Sequence, residues 1–266
     1  MSNDNIYTKT GCSMFASMFA TTIVHPFDVI KVSKQLNYKV LYRFPQIYKG
    51  YSAGLLRQVT YSTPNIVIYS GLLNKYKEIY GSEAEYKYKL LFGTISGGIG
   101  GLTGNPSEVL FVKALKDIPN QNIISSSKEI IQQYGYGHFF NGYKAAIMRS
   151  AVYNSVRLSL YSESKNYFQN QFPNLSGTSS LHFLSGSFST IVAIIISNPI
   201  DVMKARLQKD GTIGANQMIK QTFHHEGISG FYKGLLPSIM KSFPHSIISF
   251  MVLEKITKLI TGKEAL

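Results

Sequence analysis

Three times along this chain a long uncharged run ends at a proline, and charges then follow at helical spacing. The copies are VHPFDVIKVSKQ (Val24 to Gln35), GNPSEVLFVKAL (Gly104 to Leu115) and SNPIDVMKARLQKD (Ser197 to Asp210), with Pro26, Pro106 and Pro199 lying 80 and 93 residues apart. The uncharged runs are Thr10 to Phe27 (18 residues), Leu90 to Ser107 (18) and Asn166 to Ile200 (35). A bilayer's hydrocarbon core takes about 20 helical residues to cross. A proline inside a helix removes one backbone hydrogen bond and kinks it. The chain must therefore fold as several long, bent, uncharged helices that each turn polar at one end.

Composition narrows what surrounds those helices. Only 15% of the 266 residues are charged, against 44% hydrophobic, although the net charge is +13. Such a low charge density, with no Lys/Arg-rich tract, excludes a solvated cationic surface of the kind that binds nucleic acid. The mean hydropathy is nevertheless only 0.00, and runs such as LLFGTISGGIGGLTGNP are full of small residues. Small residues let membrane helices approach closely, and half-polar helices suit a bundle around water. The single cysteine, Cys12, excludes an intramolecular disulfide framework and reads as a small apolar side chain. GTISGGIGGLTG lacks the Lys-Ser/Thr ending of a phosphate loop and reads as helix packing. The start, MSNDNIYTKTG, has neither the basic-then-apolar layout of a secretory signal nor the Arg content of a transit peptide, so internal targeting is expected. No metal cluster or cofactor motif stands out, and His224-His225 reads as solvated.

A second landmark follows each proline: YKG at 48–50, FNG at 140–142 and YKG at 232–234. Each glycine opens a further helical stretch, so each unit reads helix, polar linker, helix. The units are 1–83, 84–172 and 173–266. In the second linker SSKE (Ser126 to Glu129) has the form of a capping box before IIQQY. NQMIKQTF (Asn216 to Phe223) gives the third linker an amphipathic helix, while the first linker is shorter and interrupted by Pro45. Six helical segments place both termini on one side.

These features together resemble the mitochondrial carrier family, whose signature is Pro-x-[Asp/Glu]-x-x-[Lys/Arg] in three repeats, and the resemblance covers nearly the whole chain. It implies an all-α membrane protein: six transmembrane helices in a pseudo-three-fold barrel of three repeats, with short matrix helices, working as a monomeric solute carrier of the mitochondrial inner membrane and not as an enzyme. By the family pattern a matrix gate is formed by Asp28, Lys31, Glu108, Asp201 and Lys204, braced by Gln35 and Gln208. Asp201 is expected to pair with Lys31 and Glu108 with Lys204. The basic slot of the second copy holds Phe111, so Asp28 is expected to lose its partner and matrix-side opening to become easier. The cytosolic gate pattern is degraded at Tyr69-Ser70, Tyr161-Ser162 and Leu253-Glu254, which form no complete bridge. Gly50, Gly142 and Gly234 stand where the family binds cardiolipin at helix N-termini; a turn that needs glycine is the alternative for each.

The even-numbered spans carry the substrate chemistry in this family. Arg57 and Gln58 sit twelve and eleven residues before Tyr69, and Arg149 and Ser150 sit at the same distances before Tyr161. Lys241 reaches the matching depth on the last span, and Arg157 lies eight residues beyond Arg149. Arginine's planar fork matches a carboxylate, and in a water-filled chamber these cations need no partner while it is empty. The wording around them is similar to the family branch that exchanges dicarboxylates and keto acids such as 2-oxoglutarate and malate, with uncoupling-protein-like carriers next. Lys241 in place of arginine and the additional Arg157 leave phosphorylated or more highly charged anions open.

Overall fold

The computed structural model describes residues 3–39, 43–82, 84–116, 123–172, 179–210 and 213–261, and within them the chain is helical with no strand. Helix α1 spans Asn3–Gln35. Helix α2 (Tyr51–Arg57) continues through a π turn (Gln58–Ser62) into α3 (Thr63–Tyr80). Then come α4 (Tyr86–Lys116), α5 (Ile123–Tyr134), α6 (Tyr143–Gln171), α7 (Ser179–Lys209), α8 (Ala215–Glu226) and α9 (Leu235–Thr261).

Neighbour contacts among the long helices close on themselves. α1 packs on the 51–80 helix, which packs on α4; α4 packs on α6, α6 on α7, α7 on α9, and α9 returns to α1. The apolar surface of this ring points outward. Phe15, Phe19 and Ile23 on α1 are exposed, as are Leu91, Ile95, Ile99 and Leu102 on α4 and Leu184, Phe188 and Ile195 on α7. Their spacing of three, four or seven residues draws a stripe along each helix. Stripes of that extent are not what a water-soluble monomer exposes. By length and hydropathy, two described segments are apolar enough to cross a membrane, Thr10–Gln35 and Leu181–Lys209. The other long helices carry small and polar residues on their inner faces, which lowers their average.

The kinks and turns have identifiable partners. Pro26, Pro106 and Pro199 all lie inside helices. Pro26 cannot donate to the carbonyl of Thr22 one turn earlier, and the Tyr48 hydroxyl donates to it instead at 3.3 Å. Pro64 leaves the Thr60 carbonyl free in the same way, and Thr103 of α4 supplies 2.7 Å from its hydroxyl. The residue before each kink proline holds the turn that follows. His25 Nε2 donates to the Lys49 carbonyl (3.0 Å), Asn105 Nδ2 to the carbonyls of Phe139 and Asn141 (2.7 and 3.0 Å), and Asn198 Nδ2 to that of Phe231 (2.8 Å).

One local expectation needs correction. Helix α5 is already helical at Ile123, so Ser126 lies about a turn inside it and is buried; the SSKE segment is not its N-cap. Glu129 instead anchors α5 to α4 through Lys113 at 3.0 Å. The first linker holds only a short 3-10 turn (Gln46–Tyr48) among its described residues, whereas NQMIKQTF lies within α8 as expected. The glycine-rich segment of α4 is a packing surface. A Cβ on Gly100 or Gly104 would stand 2.9 or 2.8 Å from Tyr61, and one on Gly97 2.8 Å from Asn154 of α6.

Gly50, Gly142 and Gly234 open α2, α6 and α9 with φ of +68°, +76° and +78°. At Gly234 a Cβ would also meet the Lys31 carbonyl at 2.8 Å. Left-handed backbone costs a non-glycine residue about 1–2 kcal/mol. Gly234→Ala should therefore lower the apparent Tm of the purified protein by about 4 °C or more. Gly71→Ala, with open space around its Cβ inside α3, should leave it unchanged or raise it, and thermal unfolding of the two variants checks both.

Candidate functional site

The ring encloses a chamber of about 440 Å³. Its wall is polar: Ser17 and Asp28 from α1, Gln58, Tyr61, Ser62 and Asn65 from the 51–80 helix, Tyr153 and Asn154 from α6, and Ser242 and His245 from α9. Arg57, Arg149, Arg157, Lys241 and Lys31 bring five cations to it, and Asp28, Glu108 and Asp201 three carboxylates. The π turn begins immediately after Arg57; such turns re-aim side chains and recur at functional sites.

The pattern of ion pairs is ordered. Lys31 pairs with Asp201, which also accepts from Gln35 Nε2 at 3.3 Å. Lys204 pairs with Glu108, which accepts from Gln208 Nε2 at 3.1 Å. Gln208 is held in turn by Asn105 Oδ1 at 2.9 Å. These contacts tie α1 to α7 and α7 to α4, at the kinked end of the chamber. The expected pairings of Asp201 with Lys31 and of Glu108 with Lys204 are thus present.

Asp28 departs from expectation. It is not left without a partner: Lys241 Nζ donates to both its oxygens at 2.7 and 2.8 Å, and Arg57 Nη2 stands 3.4 Å from Oδ2. Lys241 and Arg57, for which an empty water-filled chamber required no partner, therefore have one. Arg149 too has its Nε 3.4 Å from Asp201 Oδ1, an ion contact without a formed hydrogen bond, so that this buried N–H still lacks an acceptor. The reason is elementary: an acid and a base facing one small chamber lower each other's energy more than either does alone in it. Arg157 ion-pairs with no carboxylate among the described residues. It and Arg149 instead lie over the Tyr153 ring at 5.9 and 5.8 Å.

The remaining predicted positions divide. Gln58 lines the chamber and accepts from Ser62 Oγ at 3.1 Å. Ser150 does not line it; it is buried against α4, where a Cβ on Gly97 would meet its own at 3.4 Å. At the outer end the Tyr161 hydroxyl meets His182 Nδ1 at 2.6 Å. Cys12 is buried, and His224 and His225 are exposed.

Sequence reasoning missed two features. His245 shares the chamber wall with Lys241, one turn away on α9, a placement that the i, i+4 spacing contained. The second is a latch outside the chamber. Glu226 of α8 takes Arg206 at 2.7 Å, Lys233 at 3.0 Å and Asn37 Nδ2 at 2.6 Å, while Arg206 Nε donates to the Gln35 carbonyl at 3.1 Å. It joins the end of α1 to α8 and to the turn before α9, residues far apart in sequence.

A family model described as mitochondrial carrier protein matches residues 82–172 and 176–264. Similar proteins include the mitochondrial 2-oxoglutarate/malate carrier proteins of Caenorhabditis elegans and Bos taurus. Each is 28% identical, covering 90% and 91% of this chain and 88% of the relative. The mitochondrial substrate carrier family protein ucpB of Dictyostelium discoideum is 26% identical over 97% of both chains. Mitochondrial uncoupling protein 4 of Arabidopsis thaliana is 28% identical over 80% of this chain and 72% of its own.

The latch gives a pH prediction. Partial burial pushes the Glu226 carboxyl up, but hydrogen bonds from Arg206, Lys233 and Asn37 bring it down to about 2. An unfolded-chain glutamate titrates near ~4.3, so the stabilisation is complete above that value and is lost as pH falls toward 2. Between pH 6 and pH 3 the apparent Tm of the wild type should fall more steeply than that of Glu226→Gln, the two curves converging at the acid end.

Proposed function

This chain belongs to the mitochondrial carrier family, and from that premise we propose that it exchanges small dicarboxylates or keto acids, such as 2-oxoglutarate and malate, across the mitochondrial inner membrane by alternating access. In this reading it works as a monomer. The six long helices are its spans, arranged as a pseudo-three-fold barrel of the repeats 1–83, 84–172 and 173–266. The ion-paired end faces the matrix and the chamber opens to the cytosol. The family consists of transporters, and nothing in the reading calls for a catalytic step.

One observation carries the proposal: Arg57, Arg149 and Lys241, from three different helices, converge on one chamber beside the additional Arg157. Five lining cations and Lys204 face three carboxylates, which leaves three positive charges over. A metabolite with two or three negative charges offsets most or all of that excess. The Arg149 Nε, buried without an acceptor, is the group with most to gain from a ligand carboxylate. The relatives named for 2-oxoglutarate and malate supply the substrate class. Closure by ion pairs is reversible: at an effective dielectric of 20 a pair at 4 Å is worth about 4 kcal/mol, and desolvation offsets much of it. Anionic lipid, cardiolipin in the family, belongs at the helix N-termini opened by Gly50, Gly142 and Gly234. A cleft of about 660 Å³ beside Gly234, lined by Lys34, Lys39 and Lys233, suits it.

A second reading, proton or anion leak, draws on the relative named as an uncoupling protein and on His245 in the chamber wall. A carrier of phosphorylated metabolites would make use of Arg157. Proteoliposomes loaded with malate separate these readings. Uptake of labelled 2-oxoglutarate should require internal malate, and an internal pH dye should report no proton leak. Since a charge-assisted hydrogen bond contributes about 1.5–3 kcal/mol, Arg57→Ala and Arg149→Ala should each slow exchange about 10- to 100-fold. Unaltered exchange in both variants would remove the proposal.

A further inference from the structure

Five residues after each kink proline stands Lys31, Phe111 or Lys204, and nine residues after it Gln35, Leu115 or Gln208. Two of the three helix junctions at the closed end are therefore ionic and braced by an amide. The third is apolar at both places. Phe111 and Leu115 are buried in one cluster with Val29, Ala53, Leu110 and Ile130, and the Phe111 ring lies edge-on to His25. Nothing in that junction can hold Asp28, which is 4% exposed. Asp28 turns instead to Lys241 and Arg57, the cations assigned above to the substrate.

The other two acids are held differently. Glu108 is held by Lys204, which does not line the chamber, and by Gln208. Asp201 touches Arg149 but keeps Lys31 and Gln35 if Arg149 leaves. Asp28 makes its ion pairs with Arg57 and Lys241, and both would be lost to a ligand that took those two cations. A ligand carboxylate and the Asp28 carboxylate are the same chemical group competing for the same two partners.

We propose that Asp28 is a built-in counter-ion of the substrate site: it occupies Arg57 and Lys241 while the chamber is empty, and the incoming anion displaces it, so that loading the site itself releases the α1–α9 contact. Opening then begins between α1 and α9, because with Phe111 in the lysine slot Asp28 has no other cation to hold it. The price of this arrangement is affinity, because the apparent Kd of a partly self-occupied site is the intrinsic one divided by the fraction left free. The inference rests on the reading of Arg57 and Lys241 as substrate cations.

Equilibrium binding of labelled malate and 2-oxoglutarate to the purified protein tests it. Asp28→Asn should bind at least one of them about tenfold more tightly than wild type, because the competitor is gone. Glu108→Gln, at the equivalent position of the next unit, frees no substrate cation and should not tighten binding. Unchanged or weaker binding by Asp28→Asn, or equal tightening by Glu108→Gln, would overturn the proposal. A ligand-free readout keeps it testable if one variant folds poorly or neither acid binds. The melting temperatures of Asp28→Asn, Lys241→Gln and the double variant should be non-additive, the double falling less than the sum of the singles, and strict additivity would also overturn it. If Arg57→Ala and Lys241→Gln leave malate and 2-oxoglutarate binding intact while the ligand-free coupling is present, it is the dicarboxylate reading that fails instead.

Discussion

Everything in this molecule depends on placing charge inside a ring whose outside is apolar. Charge within membrane depth is expensive unless it faces protein or water. Here Arg57, Arg149, Arg157, Lys241 and Lys31 all face the chamber, and Asp28, Glu108 and Asp201 face them. The three acids are too few to neutralise the cations and sufficient to hold the helices together at one end. The paired charges fasten α1, α4, α7 and α9 to one another, and positive charge is left over in the chamber.

The closed end is built around its prolines rather than weakened by them. Each kink leaves the chain needing lateral support, and the residue before each proline supplies it by gripping the turn that precedes the next helix. The gripping side chains are His25, Asn105 and Asn198, different in kind and identical in task. At Gly50, Gly142 and Gly234 the left-handed turn then brings each following helix against the kinked helix of another unit, on Phe111, Lys204 and Lys31 respectively. The three glycine turns thus meet equivalent positions after the kink prolines, and the charged or apolar identity of those positions decides how each junction is fastened.

Much of this was legible in the sequence because it follows from spacing. The kinked helices were visible as residue types at fixed intervals, and the family resemblance implied the common depth of Arg57, Arg149 and Lys241 and the pairs Asp201–Lys31 and Glu108–Lys204. What the sequence withheld was choice among partners. That Phe111 could not pair with Asp28 was evident, but that Lys241 and Arg57 would depended on which cation lay nearest across the chamber. Ser150 illustrates the same limit: one residue from Arg149, it turns by about 100° around the helix and lands on the glycine face of α4. The latch of Asn37, Arg206, Glu226 and Lys233 joins segments that no periodicity connects.

The central claim is that the polar face of the ring is a water-filled chamber while its apolar face meets lipid. Single cysteines placed in a Cys12→Ser background test it most directly. Ser17, Asn154 and Ser246 lie on the chamber wall, and Phe19, Ile95 and Phe188 on the outer stripes. In proteoliposomes a charged, membrane-impermeant thiol reagent should label the first set from one side only and leave the second unlabelled. Labelling of the outer set, or silence at all three chamber positions from both sides, would contradict the account.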